Sequence, residues 1–462
     1  MTTPAAQDTP QPEPGEPVDR RPTSLAELPL SPVQQRMWYL CTAYPGTSSP
    51  IIYLCWRLRG PLDVDAWKRA VGAVVDRHES LRTRFVVRES GPAQTFTPPE
   101  GLPVEEIDLT DLPPEDRTAR ARELLLIRTQ ALIDLEREPL VGSSLVRIDD
   151  DDHVWCLTMH HLVADGVSLA ILSREIPLLY GAFLDGTEPQ LAELPLQYGD
   201  YAVWQDDNPE LLEADLAYWR QQLAGVPPLE LPTDLPRPAE KGTRAAEYSH
   251  EVDGKVTDRL RRLGEEHGCT LFMVLLAGLQ VMLSLQSGQD DLCVGVPVAG
   301  RIRTDFEPIV GLFANTLPMR ADLSGNPTFR EVLARTRTAS VDALDRQAVP
   351  FGRIVAELDL PRDMSRTQVF QVIFVLHTEL GSDAIEVPGL QAHGFALAAP
   401  QILHDLVCHI WLTPETTYVE YRYDSALFTP ATAESMARRY ENLLRAVCQN
   451  PDARLFELAM AT

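Results

Sequence analysis

Apolar residues recur along this chain with two periods, and segments of the two kinds alternate. Trp67, Val71, Val74 and Val75 share one helical face, so Asp65 to His78 is expected to be a helix. Phe85 to Val87 reads as a strand. Asp116 to Leu135, charged on one side, reads as a second helix. His153 to Met159 is an apolar run of strand length. Val167 to Leu184 is helical, with Pro177 placed to kink it. Leu211 to Leu223 is a short helix carrying Tyr218 and Trp219.

The second half repeats the mixture. Val256 to His267 is a helix that Gly268 can end, and Thr270 can cap the apolar helix after it. Leu292 to Val298 is a strand. Thr328 and Glu331 have capping-box spacing ahead of a helix reaching Asp345. Val369 to Leu376 and Tyr418 to Tyr423 are strands. Thr429-Pro430 opens a last helix, with Ala433, Met436, Ala437, Tyr440, Leu443, Leu444 and Val447 on its apolar stripe. Strands and helices in both halves imply two α/β lobes with a cleft between them. The expected division is a disordered, Pro-rich tail (1–27), a first lobe (28–205), a linker (206–242), a second lobe (243–455) and a short tail (456–462). The Pro-rich stretch Gly225 to Gly242 marks the linker.

A chain of 462 residues is long enough for such a pair of lobes. Its 41 basic and 67 acidic residues give a net charge of −26. A phosphate backbone needs a basic face, so nucleic acid is not an expected partner. The same charge disfavours an anionic membrane surface. The longest apolar stretch, Leu271 to Leu285, is interrupted by Gly278, Gln280 and Ser284 and reads as a buried core helix. The seven cysteines are dispersed and form no C-x-x-C pair. With a polar N-terminus unlike a secretory signal, this implies reduced thiols and a cytoplasmic setting.

The candidate chemistry lies in Met159-His160-His161-Leu162-Val163-Ala164-Asp165-Gly166-Val167-Ser168. Two imidazoles and a carboxylate occupy the turn between a strand and a helix. Histidine exchanges protons near neutral pH. Adjacent strand residues face opposite ways, so only one of His160 and His161 faces a given cavity. Asp165 stands where it caps the following helix, and pairing with a buried arginine is compatible with that. Gly166 allows close backbone approach, so the first helix amides are candidate oxyanion donors. The competing reading is a buried, hydrogen-bonded histidine pair without chemistry. Adjacent histidines share one ion poorly and no third ligand is near, so no metal is expected. His404, Cys408 and His409 read as structural.

The turn fits H-H-x-x-x-D-G, and further motifs occur in a fixed order. Ser31-Pro-Val-Gln34-Gln-Arg36-Met-Trp38 comes first, then Arg77-His78-Glu79-Ser-Leu81-Arg82-Thr83-Arg-Phe85. After the turn come Tyr198-Gly-Asp200-Tyr201-Ala-Val-Trp204 and Val310-Gly311-Leu-Phe313-Ala-Asn315-Thr316-Leu-Pro-Met-Arg320. Val349-Pro350-Phe351 and Arg362-Asp363-Met-Ser365-Arg366 close the series. In these motifs the chain resembles condensation domains of nonribosomal peptide synthetases, over roughly residues 28 to 455. It departs from the family's pattern where Gly352 replaces an acidic residue after Phe351.

The resemblance implies an α/β fold: a V-shaped pseudo-dimer of two chloramphenicol-acetyltransferase-like lobes with a central tunnel. It implies that His161 is catalytic and His160 supports it, with Asp165 and Gly166 completing the turn. Arg301, in Pro297-Val-Ala-Gly300-Arg301, is the implied partner of Asp165. Arg77 and Arg82 are expected to be structural supports. Asn315 and Ser168 are the substrate-side candidates. The implied reaction transfers an acyl or aminoacyl group from a thioester to an amine or hydroxyl, forming an amide or ester. His161 either takes the proton or orients the nucleophile. No cofactor is expected to be bound, because the donor arrives on a carrier protein's 4'-phosphopantetheine. The acceptor comes on a second carrier or as a free small molecule. The sequence contains no carrier serine motif and no adenylation motif, so a free-standing monomer served by separate proteins is expected. A non-catalytic docking platform and an acyl-CoA-dependent acyltransferase are the alternatives.

Overall fold

The computed structural model describes residues 18–22, 26–43, 51–89, 91–208, 212–358, 360–361, 363–377, 384–397, 401–413 and 416–460. The first half runs β1 (Leu28–Pro29), α1 (Pro32–Ala43), β2 (Ile51–Arg59), α2 (Val64–Arg77), β3 (Thr83–Arg88), β4 (Gly91–Phe96), β5 (Val104–Asp108), α3 (Pro114–Thr129), β6 (Val141–Asp149), β7 (Asp152–His160) and α4 (Gly166–Leu184). Then come α5 (Tyr198–Asp207), α6 (Glu213–Gln222), β8 (Ala245–Asp253), α7 (Gly254–Glu266), α8 (Leu271–Ser287), β9 (Asp291–Val298), β10 (Asn315–Asp322), α9 (Phe329–Asp345) and α10 (Phe351–Glu357). The chain continues with β11 (Val372–His377), β12 (Ala384–Val387), β13 (Leu390–Gly394), β14 (Leu406–Leu412), β15 (Thr416–Asp424), α11 (Pro430–Gln449) and α12 (Leu455–Ala459).

Two six-stranded sheets carry the lobes. The second has the order β10-β9-β11-β14-β15-β8, all from the second half. The apolar helix α8 lies in its core, with Val274, Leu276, Leu279, Val281 and Leu283 fully buried. The first sheet has the order β12-β13-β2-β7-β6-β5. Its core is built on aromatic packing, with Trp67 of α2 edge-on to Trp155 of β7 at 5.2 Å. The helix α4 runs unbroken through Pro177 and buries Ile171, Leu172 and Ile176 in the same core.

The sheet order corrects the expected division of the chain. The hairpin β12–β13 comes from the second half but pairs with β2, Gln391 opposite Arg59 and Gly394 opposite Trp56. Behind it, Phe395 and Leu397 join Cys55, Cys156 and Leu125 on the outer face of the first sheet. An open β2 edge would expose unpaired backbone groups, and the crossover covers it. The segment 206–242 is no free linker. Trp219 and Leu229 are buried in the second core, and Arg237 and Lys241 reach Asp405 at 2.6 and 2.9 Å; residues 209–211 lie outside the described residues.

The tails differ as well. Of 1–27, residues 1–17 and 23–25 lie outside the described residues. Residues 18–22 lie against the first lobe, because Arg21 meets two nearly buried carboxylates, Glu79 at 2.6 Å and Asp200 at 3.0 Å. At the other end, Leu455–Ala459 is helical and buries Leu458. The helix expected to reach Leu135 stops at Thr129, because Leu135 turns into the first core.

These contacts predict that the first lobe does not fold alone. A fragment ending at Asn208 is expected to lack a cooperative thermal transition, and co-expression with residues 212–460 to restore one. Calorimetry checks this.

Candidate active site

The strand β7 delivers His160 and His161 to the turn, and α4 begins five residues later. The backbone N–H of His160 donates to Leu140 O at 2.8 Å, continuing the strand's hold on the chain. The His160 ring is buried, and its Nδ1 accepts the Leu162 amide N–H at 3.1 Å. That leaves the ring proton on Nε2, which faces Cys41 Sγ at 3.9 Å. Burial, and then the neighbouring His161, hold the His160 ring down to about 4, so it is neutral at pH 7. His161, the next residue, lies in the turn and is half-buried. Its Nδ1 is buried, and the ring makes no hydrogen bond to a described residue.

Asp165 anchors the turn. It is 0 % exposed and caps α4, its Oδ1 accepting the Ser168 amide at 2.9 Å. The Ser168 hydroxyl donates to the same oxygen at 2.8 Å. The remaining partners come from the second half of the chain. Arg301 forms a fork, Nη1 to Oδ2 at 2.9 Å and Nη2 to Oδ1 at 3.1 Å. The amides of Phe313 and Ala314 donate to Oδ2 at 3.0 and 3.1 Å. Burial alone would raise this carboxyl. The Arg301 charge and the amide bonds outweigh it and hold Asp165 below its ordinary value of 3.8.

Arg301 is itself held, donating to Ile309 O at 3.0 Å and lying 4.4 Å over the Phe313 ring. Two glycines permit this approach. Gly300 has φ +65°, and a Cβ there would fall 1.9 Å from Phe313 O. A Cβ on Gly311 would fall 2.0 Å from the Tyr198 ring. Tyr198 in turn donates to Leu312 O at 2.7 Å. The Ser168 hydroxyl accepts the Gly311 amide at 3.0 Å.

The other sequence candidates fall into place around this contact. Arg77 holds Glu175 at 3.2 Å, beside the His78–Glu175 bond at 2.8 Å. Arg82 donates to the carbonyls of Val75, Asp76 and Thr97. Both arginines thus tie α2 to its surroundings and lie outside the turn. Asn315 donates to Gln347 O and Val349 O and accepts from the Thr316 and Phe351 amides. Its amide, like the Ser168 hydroxyl, is therefore fully engaged by the protein. No described atom lies within 4 Å of where a Gly166 side chain would begin, so packing does not require that glycine. The Ser168 amide, one of the expected oxyanion donors, is taken by Asp165.

His404 is stacked on Phe370, while His409 hydrogen-bonds His377 at 2.9 Å and Cys408 faces the core. No metal-binding cluster occurs among the described residues. A cavity of about 770 Å³ lies between Arg20, Arg77, Leu179 and Asp200, and one of about 10 Å³ between Tyr201, Gly300, Phe313 and Asn315. Neither of these two is lined by His161. Sequence reasoning missed Tyr198, Gly300 and Gly311 as parts of the site. Their motif positions were visible, but the clashes that require glycine are between segments far apart in sequence.

A family profile described as Condensation domain matches residues 24–462. The chain belongs to the condensation-domain family. It is 40% identical over 429 residues to a linear gramicidin synthase of Brevibacillus parabrevis, covering 92% of this chain and 6% of that protein. The chain thus spans only a small part of that protein's length. Among solved structures it is similar to the X-domain from teicoplanin biosynthesis, with a TM-score of 0.85 and 31% identity over 95% of this chain and 98% of that one. The same holds for the X-domain in its complex with OxyB, with a TM-score of 0.85 and 30% identity over 96% and 98%. The α/β fold of two acetyltransferase-like lobes is the one expected from the motifs.

The buried groups of this condensation domain set how it responds to substitution and to acid. Arg301→Met leaves the Asp165 carboxylate buried without its cation and is expected to cost about 3–5 kcal/mol in urea denaturation. Conversely, His160 is neutral in the fold and binds a proton more readily when unfolded. Its contribution is full above its ordinary value of 6.5 and is lost as pH falls from there to about 4. Stability measured across that range should decline less steeply in His160→Asn.

Proposed function

We propose that this domain is an acyltransferase that joins a thioester-bound acyl or aminoacyl group to an amine or a hydroxyl. The observation that carries this reading is His161. It is half-buried and unengaged, on a turn whose neighbouring imidazole and carboxylate are both fully occupied. An amine or hydroxyl attacks the thioester carbonyl, and the C–S bond breaks as the C–N or C–O bond forms. The imidazole of His161 takes the proton lost by the nucleophile, or holds the nucleophile while the departing thiolate takes it. The donor is already activated, so no acyl-enzyme is needed. Holding both reactants at one imidazole supplies much of the acceleration.

The donor is proposed to arrive on the phosphopantetheine arm of a carrier protein. The acceptor arrives on a second carrier or as a free molecule, through a passage between the lobes. No bound cofactor takes part. The seven thiols are free, and a reducing, cytoplasmic setting suits them. A second reading has one observation in its favour. The similar X-domain is known in a complex with OxyB, so a lobe pair of this shape serves there as a docking partner. On that reading the domain binds carriers or enzymes without turnover.

The test presents acyl-carrier and acyl-CoA donors to a panel of amines and alcohols. Transfer from the carrier is expected, and His161→Ala is expected to lower it by about 10²–10⁴-fold. Full turnover in a folded His161→Ala protein would reject the role of this imidazole. Carrier binding with no transfer to any acceptor would favour docking.

A further inference from the structure

The turn that carries His161 is also held from α1, by a side chain that the reaction itself does not use. Gln34 is 0 % exposed, an unusual place for a glutamine. Its Nε2 donates to Leu162 O at 3.0 Å. Leu162 is the residue after His161, and its amide N–H is already bound by the His160 ring. Both polar groups of Leu162 are therefore fixed. The Val163 amide then closes the turn onto His160 O at 3.0 Å.

Gln34 is in turn fixed by an amide pair. Its Nε2 donates to Gln94 Oε1 at 3.3 Å, and Gln94 Nε2 donates back to Gln34 Oε1 at 3.1 Å. The Ser31 amide donates to Gln34 Oε1 at 3.0 Å, and Gln94 Nε2 also donates to Pro29 O at 2.8 Å. Every hydrogen-bonding position of the Gln34 amide is used. Such a closed, buried network admits one arrangement, because any other strands a polar group out of water. A tether on the peptide beside a reacting imidazole limits where that ring can lie.

We infer that Gln34 is a positioning residue for His161, acting through the Leu162 carbonyl, with Gln94 as its support. The catalytic part of this inference rests on the acyl-transfer reading above. The geometric part does not. Displacing a reacting group by about 1 Å can cost about 10²-fold in rate.

The experiment uses the full chain with ¹³C-labelled histidine, and the His161 ring resonance is assigned by its loss in His161→Ala. Gln34→Met keeps the volume and removes both the donor and the pair. Gln94→Met leaves the tether but removes its support. Val71→Ala, in the same lobe's core, is the stability control. The His161 resonance is expected to shift or broaden in Gln34→Met, to do so less in Gln94→Met, and to stay unchanged in Val71→Ala although its Tm falls. In single-turnover transfer Gln34→Met should lose about 10²-fold in rate, with the donor KM unchanged. A folded Gln34→Met protein with the wild-type resonance and rate would overturn the inference. If Gln34→Met does not fold, an unchanged resonance in Gln94→Met overturns it. A wild-type chain without turnover would count against acyl transfer alone, since the resonances would still decide the role of Gln34.

Discussion

The site depends on one charge that water does not reach. Asp165 belongs to the first lobe by sequence and capping, yet most of its counter-donors come from the second half of the chain: the Arg301 fork and the amides of Phe313 and Ala314. A carboxylate taken out of water is costly unless every lone pair is used. Here they are used, and only when the two halves are apposed. The histidine turn is therefore complete only in the assembled pair of lobes. The positions of Gly300 and Gly311 follow from the same demand, since each lets a loop come closer than a Cβ would allow.

The same dependence appears in the fold. The first sheet takes two strands from the second half, and its outer core takes Phe395 and Leu397. The chain between the halves is bound into the second core through Trp219 and Leu229. The first lobe is not finished by its own stretch of sequence. A site built at the junction of the two lobes inherits its rigidity from both cores, as the proposed transfer between two held reactants would require.

Much of this was legible in the sequence, and the limits have physical causes. The helix over Asp65–His78 and the capping box at Thr328 and Glu331 depend on local rules and came through. The apolar run Leu271 to Leu285 lies in α8, buried in the second core as its composition implies. The strand β2 gave no alternation to read, because Leu54, Cys55 and Trp56 are buried in succession by covers on both faces. The crossover hairpin is a non-local pairing, which no window on the chain reports. At the site, the turn and the Asp165–Arg301 pair were visible as motifs. The engagement of Asn315 by Gln347, Val349 and Phe351 was not, because backbone carbonyls and amides leave no mark in a sequence. The docking of Arg21 against Glu79 and Asp200 was hidden for a similar reason: the surrounding composition is that of a solvated tail.

The central claim is that the desolvated carboxylate at the lobe junction serves to place His161 and not only to stabilise the fold. The most direct test is single-turnover transfer by the double variant Asp165→Leu/Arg301→Met. Removing both charges leaves no unpaired ion, although the Ser168, Phe313 and Ala314 amides lose their acceptor, so the double variant should be more stable than Arg301→Met alone. Transfer is nevertheless expected to fall by about 10²-fold, because the bonds from Arg301, Phe313 and Ala314 that fix Asp165 across the junction are lost. Wild-type transfer by a folded double variant would contradict this claim.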